Sequence, residues 1–250
     1  MDKVFNKKWK RYNLMIESPK VKPHVLKTQV FTYGNYLDFL SDFGAVFLKP
    51  NDGRRGRGII KVVAIGKNYY EIYHEEEKVR NLGIVRTYNY VNEIIGDEFY
   101  LVQQPVELPL IGNRIMEFRV ITQRKSYILP WEVTGMAVKV GGEGYIVSNT
   151  ERSGGDILTV EEGVAASNLP VTDVKKLKED IEEVAVNAAV KLTQEYEHKR
   201  IYGFDIGVDK DGKIWIIEAN MNPMLSHFKM LKDKSQYKKI KRIKRKKVAL

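Results

Sequence analysis

Two stretches of this 250-residue chain combine residue types at spacings that could do chemistry. The first is Lys49-Pro50-Asn51-Asp52-Gly53-Arg54-Arg55-Gly56-Arg57-Gly58, three glycines interleaved with three arginines behind a strand-end lysine. Glycine lets the backbone turn with positive φ and bring its N–H groups close to a ligand. Backbone donors and cations together suit a polyphosphate. A Walker loop ends in Gly-Lys-Ser/Thr and opens a helix, and a dinucleotide-binding loop also leads into a helix. This loop lies between two strand-like runs, so it is neither. Taken alone, it reads nearly as well as an exposed basic hairpin.

The second stretch lies near the C-terminus. Asp205 and Glu218 stand on consecutive strand-like runs joined by the turn Asp209-Lys210-Asp211-Gly212. The strand period of two puts Asn220 on the same face as Glu218. Two carboxylates and an amide oxygen are hard ligands suited to Mg²⁺, which completes its shell with waters and substrate phosphates. Lone acids on strands are ordinarily just solvated. Here they are embedded among Phe204, Ile206, Ile216 and Ile217, and Glu-Ala-Asn-Met-Asn-Pro is unusual chemistry for a strand end. His24, His74, His198 and His227 are scattered and read as surface or packing residues, with a reservation for His227 because it follows the metal strand. The absence of cysteine removes disulfides, thiolate metal sites and cysteine nucleophiles.

The elements that must position these groups read as a mixed sheet. Strands are expected at 45–48, 59–65, 69–73, 99–102, 114–122, 127–140, 145–147, 202–208 and 213–219. Short helices are expected at 6–16 and 87–95. The clearest helix covers about 172–198, where Val174, Leu177, Ile181, Val184, Ala188 and Leu192 recur every three or four residues behind Thr172 and Asp173. Hairpins with few helices make an α+β pattern, not alternating βαβ. No apolar run suits a signal peptide or a bilayer span, so a cytoplasmic protein without a transmembrane segment is expected.

The formal charge of +10 is unevenly placed. Residues 229–250 carry 11 Lys/Arg and one acid, Asp233, while residues 1–228 are balanced. The tail reads first as a solvated or disordered terminus. Leu231, Ile240, Ile243 and Val248 also allow a basic amphipathic helix for an anionic surface: a membrane, nucleic acid or acidic protein.

Taken in order, these pieces resemble the ATP-grasp superfamily, and in detail its endospore coat-associated YheC/YheD branch, related to the ribosomal-protein glutamate ligases. Phe5-Asn6-Lys7-Lys8-Trp9 resembles the opening lysine helix. Phe47-Leu48-Lys49-Pro50 and Gly53–Gly58 resemble the strand and loop over the phosphates, and Val102-Gln103-Gln104-Pro105-Val106 the linker beside adenine. Glu117-Phe118-Arg119 resembles an Asp-x-Arg motif, and Ser148-Asn149 with Gly154-Gly155 a Ser-Asn…Gly-Gly motif. Gly203-Phe204-Asp205 and Glu218–Pro223 resemble the metal strands. The resemblance covers about residues 5–225.

The resemblance implies an α+β ATP-grasp fold in which two α+β subdomains clasp the nucleotide, without the usual N-terminal pre-ATP-grasp domain. The ATP-grasp domain would take residues 1–228, with a smaller nucleotide-lid subdomain at about 45–102 and a larger metal-binding subdomain at about 106–228. The basic tail, 229–250, would follow. The implied activity is ATP-dependent carboxylate–amine ligation through an acyl phosphate on an amino acid or peptide, with ATP and Mg²⁺ as cofactors. Lys8, Lys49, Gly53, Arg54, Gly56 and Gly58 would hold phosphates, Gln104 and Val106 would read adenine, and Glu117 would sit at the ribose. Arg119, Lys139 and Asn149 would surround the γ-phosphate and the acyl phosphate, with Asp205, Glu218 and Asn220 on Mg²⁺.

The chain departs from the pattern in four places. Glu117 replaces the usual Asp, and Pro105 lacks an N–H, leaving Val106 as donor. Lys139 stands where relatives place an arginine and reads equally as a solvated strand lysine. The wall of the acceptor site, ordinarily supplied by the N-terminal domain, would come from a second subunit or partner, be dispensable for a large acceptor, or be lost with the activity. A phosphotransferase would use the same nucleotide site, and a nucleotide-binding spore-coat structural protein with little turnover is a third reading.

Overall fold

The computed structural model describes residues 8–53, 56–75, 77–143 and 154–245. Among them the chain forms two compact units. One takes in residues 8–12 and 26–106, the other 13–25, 107–143 and 154–245. Each is built on one sheet whose strands pair antiparallel throughout. The expected strand at 145–147 lies outside the described residues.

The sheet of the first unit runs in the order β1 (Thr28–Val30), β6 (Tyr100–Gln103), β2 (Ala45–Pro50), β3 (Ile60–Gly66), β4 (Tyr69–His74), β5 (Glu77–Leu82). Strand alternation sends Val46, Leu48, Ile60, Val62, Ile72 and Val102 into one core. Helices α2 (Tyr33–Phe43) and α3 (Ile84–Ile95) close that face with Tyr36, Phe39, Leu40, Val91 and Ile95. Helix α2 starts where the Thr32 side chain accepts the Asn35 N–H, and it stops at Gly44 with φ 68°. The alternate positions, Phe47, Lys49, Lys61, Tyr73 and Gln103, form the opposite face.

The sheet of the second unit runs in the order β10 (Asp156–Leu158), β9 (Glu132–Val140), β8 (Arg114–Gln123), β11 (Ile201–Val208), β12 (Ile214–Asn220), with β7 (Leu110–Ile111) beside the start of β8. Helix α4 (Val160–Ala166) opens with a Thr159/Glu162 capping box and packs Gly163 on Val138, where any Cβ would fall within 2.6 Å of a methyl. Helix α5 (Val174–Thr193) buries Leu177, Ile181, Val184, Ala188 and Leu192, as its periodicity predicts. The strand expected from 127 begins only at Glu132, because Ser126–Pro130 turns and Pro130 brings no N–H to a ladder.

The other face of this sheet carries the largest correction. The tail is not a solvated terminus. Helices α6 (Ser226–Met230) and α7 (Ser235–Arg245) lay Phe228, Leu231 and Ile240 against Ile121 and Ala137. Gly135 makes this possible, since a Cβ there would lie 2.7 Å from Ile240 and 2.8 Å from Phe228. Gln236 Oε1 accepts the Met136 N–H at 2.7 Å, and Gln123 Nε2 donates to the Ile240 carbonyl at 3.2 Å. The helix buries Ile240 and Ile243 at helical spacing, which turns its cations outward. Residues 246–250 lie outside the described part.

Candidate functional site

The register of the second sheet assembles most of the expected catalytic and metal residues. Asp205 on β11 stands opposite Arg119 on β8 and opposite Glu218 on β12. Glu117 stands opposite Lys139 on β9, and Gly203 opposite Asn220. Residues two apart on a strand share a face, so six polar side chains from four strands meet on one face. Gly203 adds room, since a Cβ there would strike Pro223 at 2.4 Å. The Asn222-Pro223 turn can therefore fold down beside Asn220.

Four of these side chains, Glu117, Arg119, Lys139 and Asp205, are buried and pair with one another. Lys139 Nζ donates to Glu117 Oε1 at 2.6 Å and lies 3.5 Å from Asp205 Oδ1. Arg119 Nε lies 2.9 Å from the same Oδ1, but its N–H is not aimed for a hydrogen bond, so this contact is electrostatic. Asn220 Nδ2 donates to Asp205 Oδ2 at 3.3 Å. Burial alone would raise the Asp205 pKa, but Arg119, Lys139 and His227 outweigh it and hold the carboxyl below its usual range. His227, on α6, is buried near this cluster. Its Nδ1 has no hydrogen-bond partner among the described residues. Burial first, then Arg119 and Lys139, push its pKa down to about 4, so the imidazole is neutral at pH 7.

The first unit holds the expected phosphate residues differently. Lys8 Nζ donates to the carbonyls of Pro50 at 3.1 Å and Gly53 at 2.9 Å, so it braces the glycine loop itself. Gly56 and Gly58 take the left-handed conformation with φ 70° and 68°. Tyr100 donates its hydroxyl to the Gly58 carbonyl at 2.9 Å, and the Gly58 N–H reaches Glu75 at 3.2 Å. A Cβ at Gly53 would lie 2.3 Å from the Pro50 ring. Lys49 Nζ donates to Gln103 Oε1 at 2.5 Å. Gln104 is tied to Lys27 through its N–H at 3.0 Å and its side-chain oxygen at 2.9 Å, and Val106 is half-buried. Arg54 and Asn149 lie outside the described residues.

One cation in this unit was not among the expected site residues. Lys61 on β3 lies opposite Phe47, its ammonium 5.5 Å from the centre of that ring, with Lys49 at 5.8 Å over the same ring. Burial lowers its pKa. The signal that could have found it is a lysine at an alternate position in an apolar strand, paired across from the strand that carries Lys49.

Among the described residues, no three of His, Cys, Asp and Glu form a metal-holding group. The expected set has only two acids. Its chemistry nevertheless fits Mg²⁺ in ligand type: two carboxylates in cross-strand register and an amide two residues on.

Comparison with known proteins identifies the family of the chain. A family model described as YheC/D like ATP-grasp matches residues 1–246. Endospore coat-associated protein YheD of Bacillus subtilis (strain 168) is 26% identical over 246 residues, covering 91% of this chain and 50% of that protein. Endospore coat-associated protein YheC of the same organism is 24% identical over 219 residues, covering 86% and 59%. The chain thus spans about half to three fifths of the curated relatives it matches. Among solved structures, the C-terminal domain of K. lactis Pby1, an ATP-grasp enzyme interacting with the mRNA decapping enzyme Dcp2, aligns with a TM-score of 0.54 at 13% identity, covering 91% of this chain and 67% of that one. D-alanyl-alanine synthetase A of Vibrio cholerae aligns with a TM-score of 0.53 at 13% identity, covering 92% and 57%. These likenesses show the fold.

Proposed function

Because this chain belongs to the YheC/D-like ATP-grasp family, we propose that it is an ATP-dependent ligase joining a carboxylate to an amine on an amino acid or peptide. The observation that carries this reading is the buried quartet Glu117, Arg119, Lys139 and Asp205, with the half-buried Glu218 in register beside Asp205. A charge-matched cluster of this kind on one sheet face suits a reaction in which negative charge moves onto a phosphoryl group.

In the proposed reaction a substrate carboxylate oxygen attacks the γ-phosphorus while its bond to the bridging oxygen of ADP breaks. An amine nitrogen then attacks the acyl carbon, inorganic phosphate leaves, and the nitrogen gives up a proton. The chain supplies no nucleophile, in keeping with its lack of cysteine. Arg119 and Lys139 would face the charge spread over the transferring group, prepositioned by Asp205 and Glu117. Glu117, with Oε1 on Lys139, would offer its second oxygen to the ribose. Lys49 and Lys61 would meet the polyphosphate, and Lys8 would keep the glycine loop in shape. Asp205, Glu218 and Asn220 would hold Mg²⁺, which would supply a divalent charge to the phosphate oxygens. A cytoplasmic site of action fits this use of ATP. No helix among the described residues is long and apolar enough to cross a membrane.

The test is ADP release screened against amino acids and short peptides, with mass spectrometry of the product. Release that requires an added amine, with an amide product, supports the ligase. A phosphorylated product without an amine would make it a phosphotransferase. The names of the two curated relatives, both coat-associated, favour a second reading, a nucleotide-binding structural component. Nucleotide binding with no turnover under any acceptor would select it.

A further inference from the structure

The second unit carries another unusual region, on a turn that the proposed reaction does not use. Between β8 and β9 the chain projects Tyr127, Ile128 and Leu129 outward, and Ile128 is 93% exposed. An apolar tip of this kind is unfavourable in water and marks a contact surface. It is also held firmly. Arg124, buried beneath it, donates to the carbonyls of Lys199 at 2.9 Å, Tyr127 at 2.6 Å and Glu197. The same guanidinium lies over the rings of Tyr127 and Trp131 at 5.5 and 5.1 Å.

Arg200 joins this turn to the end of α7. It donates to the Lys125 carbonyl at 3.0 Å and to the Lys244 carbonyl at 3.5 Å. The last turn of α7 exposes Arg242, Lys244 and Arg245, none of which forms an ion pair among the described residues. Nearby, Lys125 and Lys239 share Glu132 at 3.4 and 3.7 Å. The apolar side of α7 is already buried in the sheet through Ile240 and Ile243, so the helix offers only charge to the outside. The adjacent turn supplies the apolar part.

We propose that this turn and the end of α7 together dock the protein on an anionic phospholipid bilayer. Ile128, Leu129 and Tyr127 enter the headgroup region while Arg242, Lys244 and Arg245 meet lipid phosphates. Stable surface attachment takes two signals, an apolar insertion and a basic patch, and the two are adjacent here. A nucleic acid would use the cations but leave Ile128 and Leu129 in water, which is why the bilayer is the better occupant.

The experiment is sedimentation of the full chain with vesicles of phosphatidylcholine and phosphatidylserine, against vesicles of phosphatidylcholine alone. Binding to the mixed vesicles, weakened by salt, is the expected result. The Ile128→Asp/Leu129→Asp variant should lower partitioning roughly tenfold or more. Replacing Arg242, Lys244 and Arg245 by Gln should lower it by about fivefold per charge. All variants should keep the circular dichroism and ATP turnover of the unaltered chain. In an Ile128→Trp variant, added vesicles should shift the extra emission to shorter wavelength. Unchanged binding by the Asp variant, or no emission shift, would overturn the proposal. So would retention on single-stranded DNA without vesicle binding, which would assign the patch to a polyanion.

Discussion

Both sheets keep charged side chains on one face, but they manage them in opposite ways. In the second sheet Glu117, Arg119, Lys139 and Asp205 are buried and satisfy one another across strands. In the first, Lys49 donates to Gln103, Lys61 lies over aromatic rings, and Lys8 donates to loop carbonyls. The second arrangement is rigid before any ligand arrives, because a low dielectric makes each pair strong and each missing partner costly. The first depends on the left-handed Gly56 and Gly58 and on contacts to its loop from Lys8, Tyr100 and Glu75. Under the proposed function, a row that meets developing charge and a loop that wraps phosphates would place different demands on the chain.

This contrast can be broken most severely at Asp205. Asp205→Ala leaves two buried cations without their shared carboxylate. We expect a loss of about 3–5 kcal/mol in denaturant unfolding and no ATP turnover. A loss below about 1 kcal/mol would mean that the row is not dry. Next is the helix that covers the same face. Ile240→Ala should cost about 2–5 kcal/mol, whereas a solvated tail would register almost nothing in the same unfolding experiment.

The first sheet should respond more weakly in stability and more visibly in binding. Lys61→Met should raise the KM for ATP about tenfold, as for loss of one charge-assisted contact, with little change in Tm. An unchanged KM would remove Lys61 from the nucleotide site. Glu218→Ala in the second unit should instead abolish Mg²⁺-dependent turnover, and surviving activity would overturn the metal assignment.

The last effect expected is a pH slope. His227 has a native pKa of about 4 against an ordinary value of 6.5. As pH falls below about 6.5 the unfolded chain takes up this proton first. Stability is therefore full above that pH and declines down to about 4. His227→Gln should flatten the urea midpoint over this window. In the first sheet, hydrogen bonds from Tyr73, Lys78 and Arg80 hold the Glu71 pKa at about 2, so its contribution fades only as pH falls from about 4.5 towards 2.

Much of this was legible because it is local. The Asp205–Glu218 hairpin follows from alternation around a four-residue turn, and α5 from its apolar period. What was not legible depended on distant neighbours. Helix α2 contains Gly34, Asn35, Asp38 and Asp42 and becomes a helix by burying Tyr36, Phe39 and Leu40 against its sheet. Lys139 read equally as solvated, and only its register with Glu117 shows it buried.

The sequence by itself determined the residue types, their order and the strand period, and these suffice for the family resemblance and for which side chains share a strand face. Only the tertiary structure decided which strands lie side by side, and therefore that Asp205 meets Arg119 from a strand more than eighty residues away in the chain. It also decided the fate of the basic tail. A helix so rich in like charges gains little from local interactions. It is held by Ile240, beside Phe228 of α6, against a groove that Gly135 leaves open, a complementarity that exists only once the sheet has formed.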